Sequence, residues 1–279
     1  MVIFKTAADL QQFLQQTSKK IAFIPTMGAL HAGHTSLIGR AVADDQLTVC
    51  SIFVNPTQFN DPEDFKKYPK STEADIDLLV KAACDVLFLP EVEEVYPAGT
   101  EQTTAYDFGY LETVLEGAHR PGHFRGVGQV VGRLLEIVKP HFLYLGQKDY
   151  QQCMVVGELI RQMGHKELTL VVCPTVREPD GLAMSSRNRR LTDPQRALAG
   201  IIYQCLVSIQ SKAGTCDFPI VQKECTELLT AKGFETEYIN LANADTLQLM
   251  DDYDTSTRQV ALIATRLGRI RLIDNMVLN

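Results

Sequence analysis

The chain has 279 residues, of which 27 are basic and 34 acidic, giving a formal net charge of −7 at pH 7. That balance excludes a general nucleic-acid binder, which presents a basic face, but leaves room for a local pocket that takes a small anion. Hydrophobic residues make up 45% of the chain, enough for a proper core, and the length fits one large domain or two of ordinary size.

In chain order, "MVIFKTAADLQQFL" has no basic start, long apolar centre or cleavage site and does not read as a signal peptide. "IAFIP" (21–25) reads as a buried strand and 34–44 as a helix. "LTVCSIFV" (47–54) is a second strand, followed by a helical pattern near 72–83. "DVLFLP" (85–90) is a third strand. "GVGQVVGRLLEIVKP" (126–140) has helical apolar spacing and stops at Pro140. "HFLYLG" (141–146) is a strand, "YQQCMVVGELIRQMG" (150–164) a helix closed by Gly164, and "LTLVVCP" (168–174) another strand. Continuous apolar runs alternating with helices predict an α/β fold: a Rossmann-like parallel sheet with helices on both faces.

After Pro174 the pattern changes. The segment "TVREPDGLAMSSRNRR" (175–190) is polar. "LTDPQRALAGIIYQCLVSIQ" then starts a helix with Thr192 or Asp193 as N-cap and Pro194 at an early position. Another helix covers about 218–231, and "RQVALIATRLGRIRLIDN" (258–275) alternates like a hairpin turning near Gly268. These signals divide the chain into residues 1–175 and a smaller C-terminal α+β domain, 176–279. The seven cysteines are scattered, with no C-x-x-C pair, and read as reduced thiols packed in a core. No apolar run approaches the roughly 20 residues of a membrane helix. Together these features predict a cytoplasmic protein without a membrane partner.

The stretch "FIPTMGALHAGHTSLI" (23–38) puts two glycines and two histidines where a buried strand turns into a helix. Ligands in open parallel sheets gather at the carboxyl ends of strands. A helix start offers unpaired N–H groups and a positive partial charge, which suits phosphate. His31 and His34 add ring donors. The same pair could serve as a cap or ligate a metal, although no carboxylate or cysteine lies nearby in sequence. Neither a G-x-G-x-x-G fingerprint nor a Walker lysine motif is present.

"PTMGALHAGH" resembles the H-x-G-H signature of the adenylate-forming nucleotidyltransferase superfamily, which cytidylyltransferases and class I aminoacyl-tRNA synthetases share. With "SIFVNPTQF" (51–59), "LEGAHRPGHFRGV" (115–127), "LGQKDYQQ" (145–152), "VREPDGLAMSSRN" (176–188) and the closing "RLIDN" (271–275), the order and spacing resemble the pantothenate synthetase, or pantoate–β-alanine ligase, family. The resemblance spans nearly the whole chain.

It implies an enzyme that joins pantoate to β-alanine through a pantoyl adenylate, releasing AMP and pyrophosphate. ATP is then a co-substrate accompanied by Mg²⁺, and no organic cofactor is tightly bound. The partners implied are small molecules and a second copy of the chain in a homodimer, with residues 176–279 as a lid.

Carried over residue by residue, the resemblance assigns ATP binding to Met27, Gly28, Ala29, Leu30, His31, Ala32, Gly33 and His34. The same role falls to Gly146, Gln147, Lys148, Asp149, Val176, Met184, Ser185, Ser186 and Arg187. Catalysis falls to His34 as proton donor, with His31, Lys148, Ser185, Ser186 and Arg187 on the phosphates. Gln58 and Gln152 match pantoate-reading amides, whereas Asn55, Arg120 and His123 match neighbouring substrate positions. Gln147 stands where relatives often carry Glu. His119 and His123 share metal-pair spacing, but Pro121 and Gly122 break the helix between them. Asp75, on a helix with Glu73 and Asp77, is the metal candidate.

Overall fold

The computed structural model describes residues 1–58, 68, 69, 71–100 and 104–278. Phe59, which closes the 51–59 stretch, lies outside them. The chain forms two compact units, Met1–Gln147 with Gln151–Pro174, and Lys148–Tyr150 with Thr175–Asn279.

Through the first unit the chain runs β1 (Val2–Phe4), α1 (Ala7–Leu14), β2 (Ile21–Thr26), α2 (Ala32–Ala43), β3 (Leu47–Ile52), α3 (Thr72–Lys81) and β4 (Val86–Phe88). It continues through α4 (Val92–Val95), α5 (Leu115–His119), α6 (His123–Val138), β5 (Phe142–Gly146), α7 (Tyr150–Gln162) and β6 (Thr169–Cys173). The strands form one sheet in the order β1-β4-β3-β2-β5-β6. Every pairing is parallel.

Period-2 alternation explains why the strands read as unbroken apolar runs. Phe23, Val49, Phe88 and Leu143 enter one core with residues of α1, α6 and α7. Their neighbours Ala22, Ile24, Cys50, Leu87 and Tyr144 enter a second core with α2 and α3. Both faces are therefore covered, and each large apolar side chain removed from water contributes about 1.5–3 kcal/mol.

The strand order reverses between β2 and β5. From β2 the chain steps through β3 to β4 on one side, and from β5 to β6 on the other. Such a switch point leaves a crevice at the carboxyl ends of the two strands. Met27 onward leaves β2 there, and Gln147 follows β5 at the same end.

The second unit contains α8 (Asp193–Ala199), α9 (Ile201–Lys212), α10 (Phe218–Ala231), β7 (Phe234–Asn243), β8 (Leu249–Met250), β9 (Gln259–Leu267) and β10 (Ile270–Val277). The sheet order is β10-β9-β7-β8, and the pairings are antiparallel. Its inner face packs Ile239, Leu241, Ile263 and Leu272 against Ile202, Leu206 and Leu229 of the helices.

Thr192 is the N-cap of α8, in a reciprocal box with Gln195. The single helix expected from 192 is two helices that break at Gly200, where a Cβ would lie 2.8 Å from the Asp180 carbonyl oxygen. The polar segment after Pro174 is a small hairpin. Met184 N–H donates to the Val176 carbonyl (3.0 Å) and Glu178 N–H to that of Leu182 (2.8 Å), with Arg177 paired to Ala183 between them. All seven cysteines are free, and only Cys216 is not buried. No helix among the described residues is long and apolar enough to cross a membrane.

Candidate functional site

The histidine motif opens α2, and its two imidazoles cap that helix. His31 is the N-cap; its Nδ1 accepts Gly33 N–H at 3.2 Å, while His34 Nδ1 accepts His31 N–H at 3.3 Å. This is a capping box built from histidines, with ring centroids 4.1 Å apart. An Nδ1 that accepts an amide proton cannot carry one. The bonding therefore assigns each ring the tautomer protonated at Nε2, an N–H donor on each histidine. The sequence offered capping and anion contact as alternatives. The geometry lets one side chain do both.

The turn before the helix is fixed from a distance. Gly28 (φ +78) and Ala29 (φ +50) both adopt left-handed backbone. A Cβ on Gly28 would come 3.0 Å from Asp75 Oδ2 and 3.1 Å from Ile52, so the crowding adds to the preference for glycine that the positive φ sets. Asp75 is 1% exposed. Its Oδ2 accepts Ala29 N–H and its Oδ1 accepts Leu30 N–H, both at 2.8 Å, and Ser71 Oγ donates to Oδ1 at 3.1 Å.

The metal candidate of the sequence is thus a buried carboxylate whose two oxygens both accept amide protons, which makes it an anchor for the turn. Among the described residues no group of three His, Cys, Asp or Glu side chains gathers as a metal ion requires.

Four of the expected substrate residues come together beside this turn. Asn55, 1% exposed, donates through Nδ2 to Thr57 Oγ1 (3.0 Å), Gln58 Oε1 (3.3 Å) and the Gly126 carbonyl (3.2 Å). Tyr96 hydroxyl donates to Asn55 Oδ1 at 3.0 Å. Gln58 Nε2 donates to Met27 Sδ at 2.8 Å, joining the cluster to the H-x-G-H turn.

His123 bridges the Gln58 carbonyl (Nδ1, 2.9 Å) and Arg120 (Nε2, 3.0 Å). A guanidinium only donates, so Nε2 is the acceptor and the ring proton sits on Nδ1, facing the carbonyl. Arg120 lies 3.8 Å from Glu116. His119 ends α5 and His123 starts α6, on separate helices.

Gln152 lies half-buried in the first turn of α7. Its neighbour Gln151 is 2% exposed and staples the chain to Leu111, Val114 and Glu116, a structural task that the sequence did not signal. Tyr96 was missed as well, because a lone tyrosine after a short apolar run carries no motif.

In the second unit, Lys148 Nζ lies 3.2 Å from Asp149 Oδ1. Ser185 caps the turn Ser186–Arg190, its Oγ accepting Arg187 N–H at 3.3 Å, and Ser186 is buried. Val176 and Met184 pair across the hairpin that delivers this turn. Gly146 ends β5 and Gln147 follows it, at the switch point.

The whole chain matches known proteins. A profile of the pantoate-beta-alanine ligase family covers residues 2–277. Pantothenate synthetase of Bacteroides fragilis is 44% identical over 280 residues, 99% of this chain and 98% of that protein. That of Cytophaga hutchinsonii is 43% identical, across 100% and 99%. Among solved structures, pantothenate synthetase of Thermus thermophilus superposes with a TM-score of 0.92 at 39% identity, covering 100% of this chain and 99% of that one. Pantoate-beta-alanine ligase of Francisella tularensis, complexed with beta-gamma ATP and beta-alanine, gives 0.83 at 35% identity, covering 100% and 98%. With agreement over both full lengths in sequence and in fold, the chain belongs to the pantoate–β-alanine ligase family.

Proposed function

We propose that this ligase joins pantoate to β-alanine in two steps on one ATP. A pantoate carboxylate oxygen attacks the α-phosphorus, forming a P–O bond as the bond to pyrophosphate breaks. The β-alanine amine then attacks the activated carbonyl, a C–N bond forms, the nitrogen sheds a proton and AMP leaves. Adenylation is needed because oxide is a far worse leaving group than AMP.

The observation that supports this reading most is the position of the H-x-G-H turn, at the carboxyl end of β2 where the strand order reverses against β5. There His31 and His34 present Nε2–H donors at a helix start, suited to charge building on the departing pyrophosphate. Donors preorganised for such charge are each worth about 10²–10³ in rate. Met27 to His34 with Gly146 and Gln147 line the ATP side of the first unit. The second unit supplies its own donors, Lys148, Ser185, Ser186 and Arg187, with Asp149 for ribose and the Val176–Met184 strand pair for adenine. Gln58, Gln152, Asn55, Arg120 and His123 read pantoate and β-alanine through hydrogen bonds. Bound with ATP, Mg²⁺ would supply charge neutralisation to the phosphates, with few ligands needed from the protein. By family likeness, the enzyme works in the cytoplasm as a homodimer.

The test is incubation with ATP, Mg²⁺, pantoate and β-alanine. AMP and pyrophosphate form when pantoate is present, and pantothenate only when β-alanine is added. AMP release that ignores pantoate overturns the assignment.

A further inference from the structure

The "RLIDN" stretch has no role in the chemistry above, yet its last two residues are built unusually. Along β10, buried and half-buried residues alternate from Ile270 to Ile273. The alternation then fails, because Asp274 and Asn275 are 4% and 2% exposed. An edge strand gains nothing from burying two adjacent polar side chains unless each has a partner.

Each has one on a separate ATP-assigned stretch of the same unit. Asn275 Nδ2 donates to the Lys148 carbonyl at 2.8 Å, across 127 residues of sequence. Asp274 pairs with Arg177 (Oδ2–Nη1 2.5 Å, Oδ1–Nη2 3.1 Å) at the base of the hairpin that leads to Ser185–Arg187. Arg177 also donates to the Gly181 and Asn275 carbonyls and stacks on Tyr203, 4.3 Å from the ring centre. The segment that starts at Lys148 is tied again at Tyr150, whose hydroxyl donates to the Ala244 carbonyl at 2.6 Å.

We propose that Asn275 is a positioning residue for Lys148: β10 holds the lysine main chain through Asn275 and the phosphate-loop hairpin through Asp274, so one dipeptide sets the register of both. A lysine side chain is a flexible four-carbon stem. Only a fixed main chain keeps its ammonium within reach of one phosphorus, and displacement by about 1 Å costs on the order of 100-fold in rate. The inference rests on the reading above that Lys148 meets the α-phosphate.

The experiment compares pantoate-dependent exchange of labelled pyrophosphate into ATP for the full-length chain and its Asn275→Ala, Asn275→Leu, Lys148→Ala and Asn275→Ala/Lys148→Ala variants, with thermal unfolding of each. Asn275→Leu keeps the side-chain branching and heavy-atom count while removing the amide, and carries the test if the alanine variant does not fold. The expected result is at least a 10-fold fall in exchange kcat for either single Asn275 substitution, with the pantoate KM within two-fold of wild type. Adding Asn275→Ala to Lys148→Ala lowers exchange by less than two-fold, because the lysine to be positioned is gone. Wild-type exchange in a folded Asn275 variant, or losses that multiply in the double variant, overturns the proposal while leaving the ligase reading intact. Wild-type exchange in Lys148→Ala overturns the assignment of the lysine itself, and the inference with it.

Discussion

At the scale of single residues, each motif imidazole uses Nδ1 for the helix cap and, in the proposed function, Nε2–H for phosphate, and the two jobs separate by substitution. Asparagine is among the best N-caps, so His31→Asn keeps the cap and removes the Nε2–H donor, whereas His31→Ala removes both. In denaturant unfolding, His31→Asn is expected within about 0.5 kcal/mol of wild type and His31→Ala about 1 kcal/mol below it. Both are expected to lose about 100-fold or more in pantoate-dependent pyrophosphate exchange. Wild-type exchange by His31→Asn reduces the imidazole to a cap. The histidine motif was legible in the sequence because it is written in four adjacent residues. Its support was not, since Asp75 stands 45 residues from the Leu30 amide it accepts. From sequence, its acidity on a helix suggested metal, and only burial with three donors identifies an anchor.

At the scale of elements, helix α6 shows why apolar spacing alone under-describes a packed surface. The spacing predicted the helix, but glycine inside a helix costs about 1 kcal/mol against alanine. The structure supplies the reason for Gly126, where a Cβ would sit 2.5 Å from the Thr57 carbonyl oxygen and 2.8 Å from Gln58 Cα. The segment carrying Asn55 and Gln58 lies directly on the helix backbone. Gly126→Ala is therefore expected to raise the pantoate KM about 10-fold while the ATP KM stays within two-fold, measured by AMP formation at steady state. On α2, a Cβ at the exposed Gly39 meets nothing within 4 Å. Gly39→Ala is the control, gaining up to about 1 kcal/mol of stability without moving either KM. Strand legibility follows the same logic. The central parallel strands announced themselves because both faces are buried. Strand β7 did not, because a bulge between Thr236 and Tyr238 changes the phase of its alternation: Phe234 faces the core, and so does Ile239 five residues on. Three-residue β1, half exposed, carries too little pattern to read.

At the scale of the whole molecule, the cores on both faces of the first sheet and the core of the second share one vulnerability, at alkaline pH. Burial pushes Tyr96 and Tyr144 of the first unit, and Tyr253 of the second, each up to about 12 from an ordinary value near 10. A folded-state pKa raised above the unfolded one means the fold favours the protonated phenol. That stability is fully present below about pH 10 and is lost as pH climbs through the folded value. For Tyr96, 3% exposed, a rise from near 10 to about 12 corresponds to roughly 3 kcal/mol. The phenol also donates to Asn55, so its ionisation reaches the Asn55–Gln58 cluster directly. Tyr96→Phe cannot ionise. In urea unfolding across a pH series, this variant is expected to start about 1 kcal/mol below wild type at pH 8, from the lost hydrogen bond. Between pH 10 and 12 its stability falls less steeply, and the two curves converge or cross. A Tyr96→Phe curve that runs parallel to wild type throughout that window means the ring already ionises at its ordinary pKa, and burial at the Asn55 cluster is shallower than the structure gives.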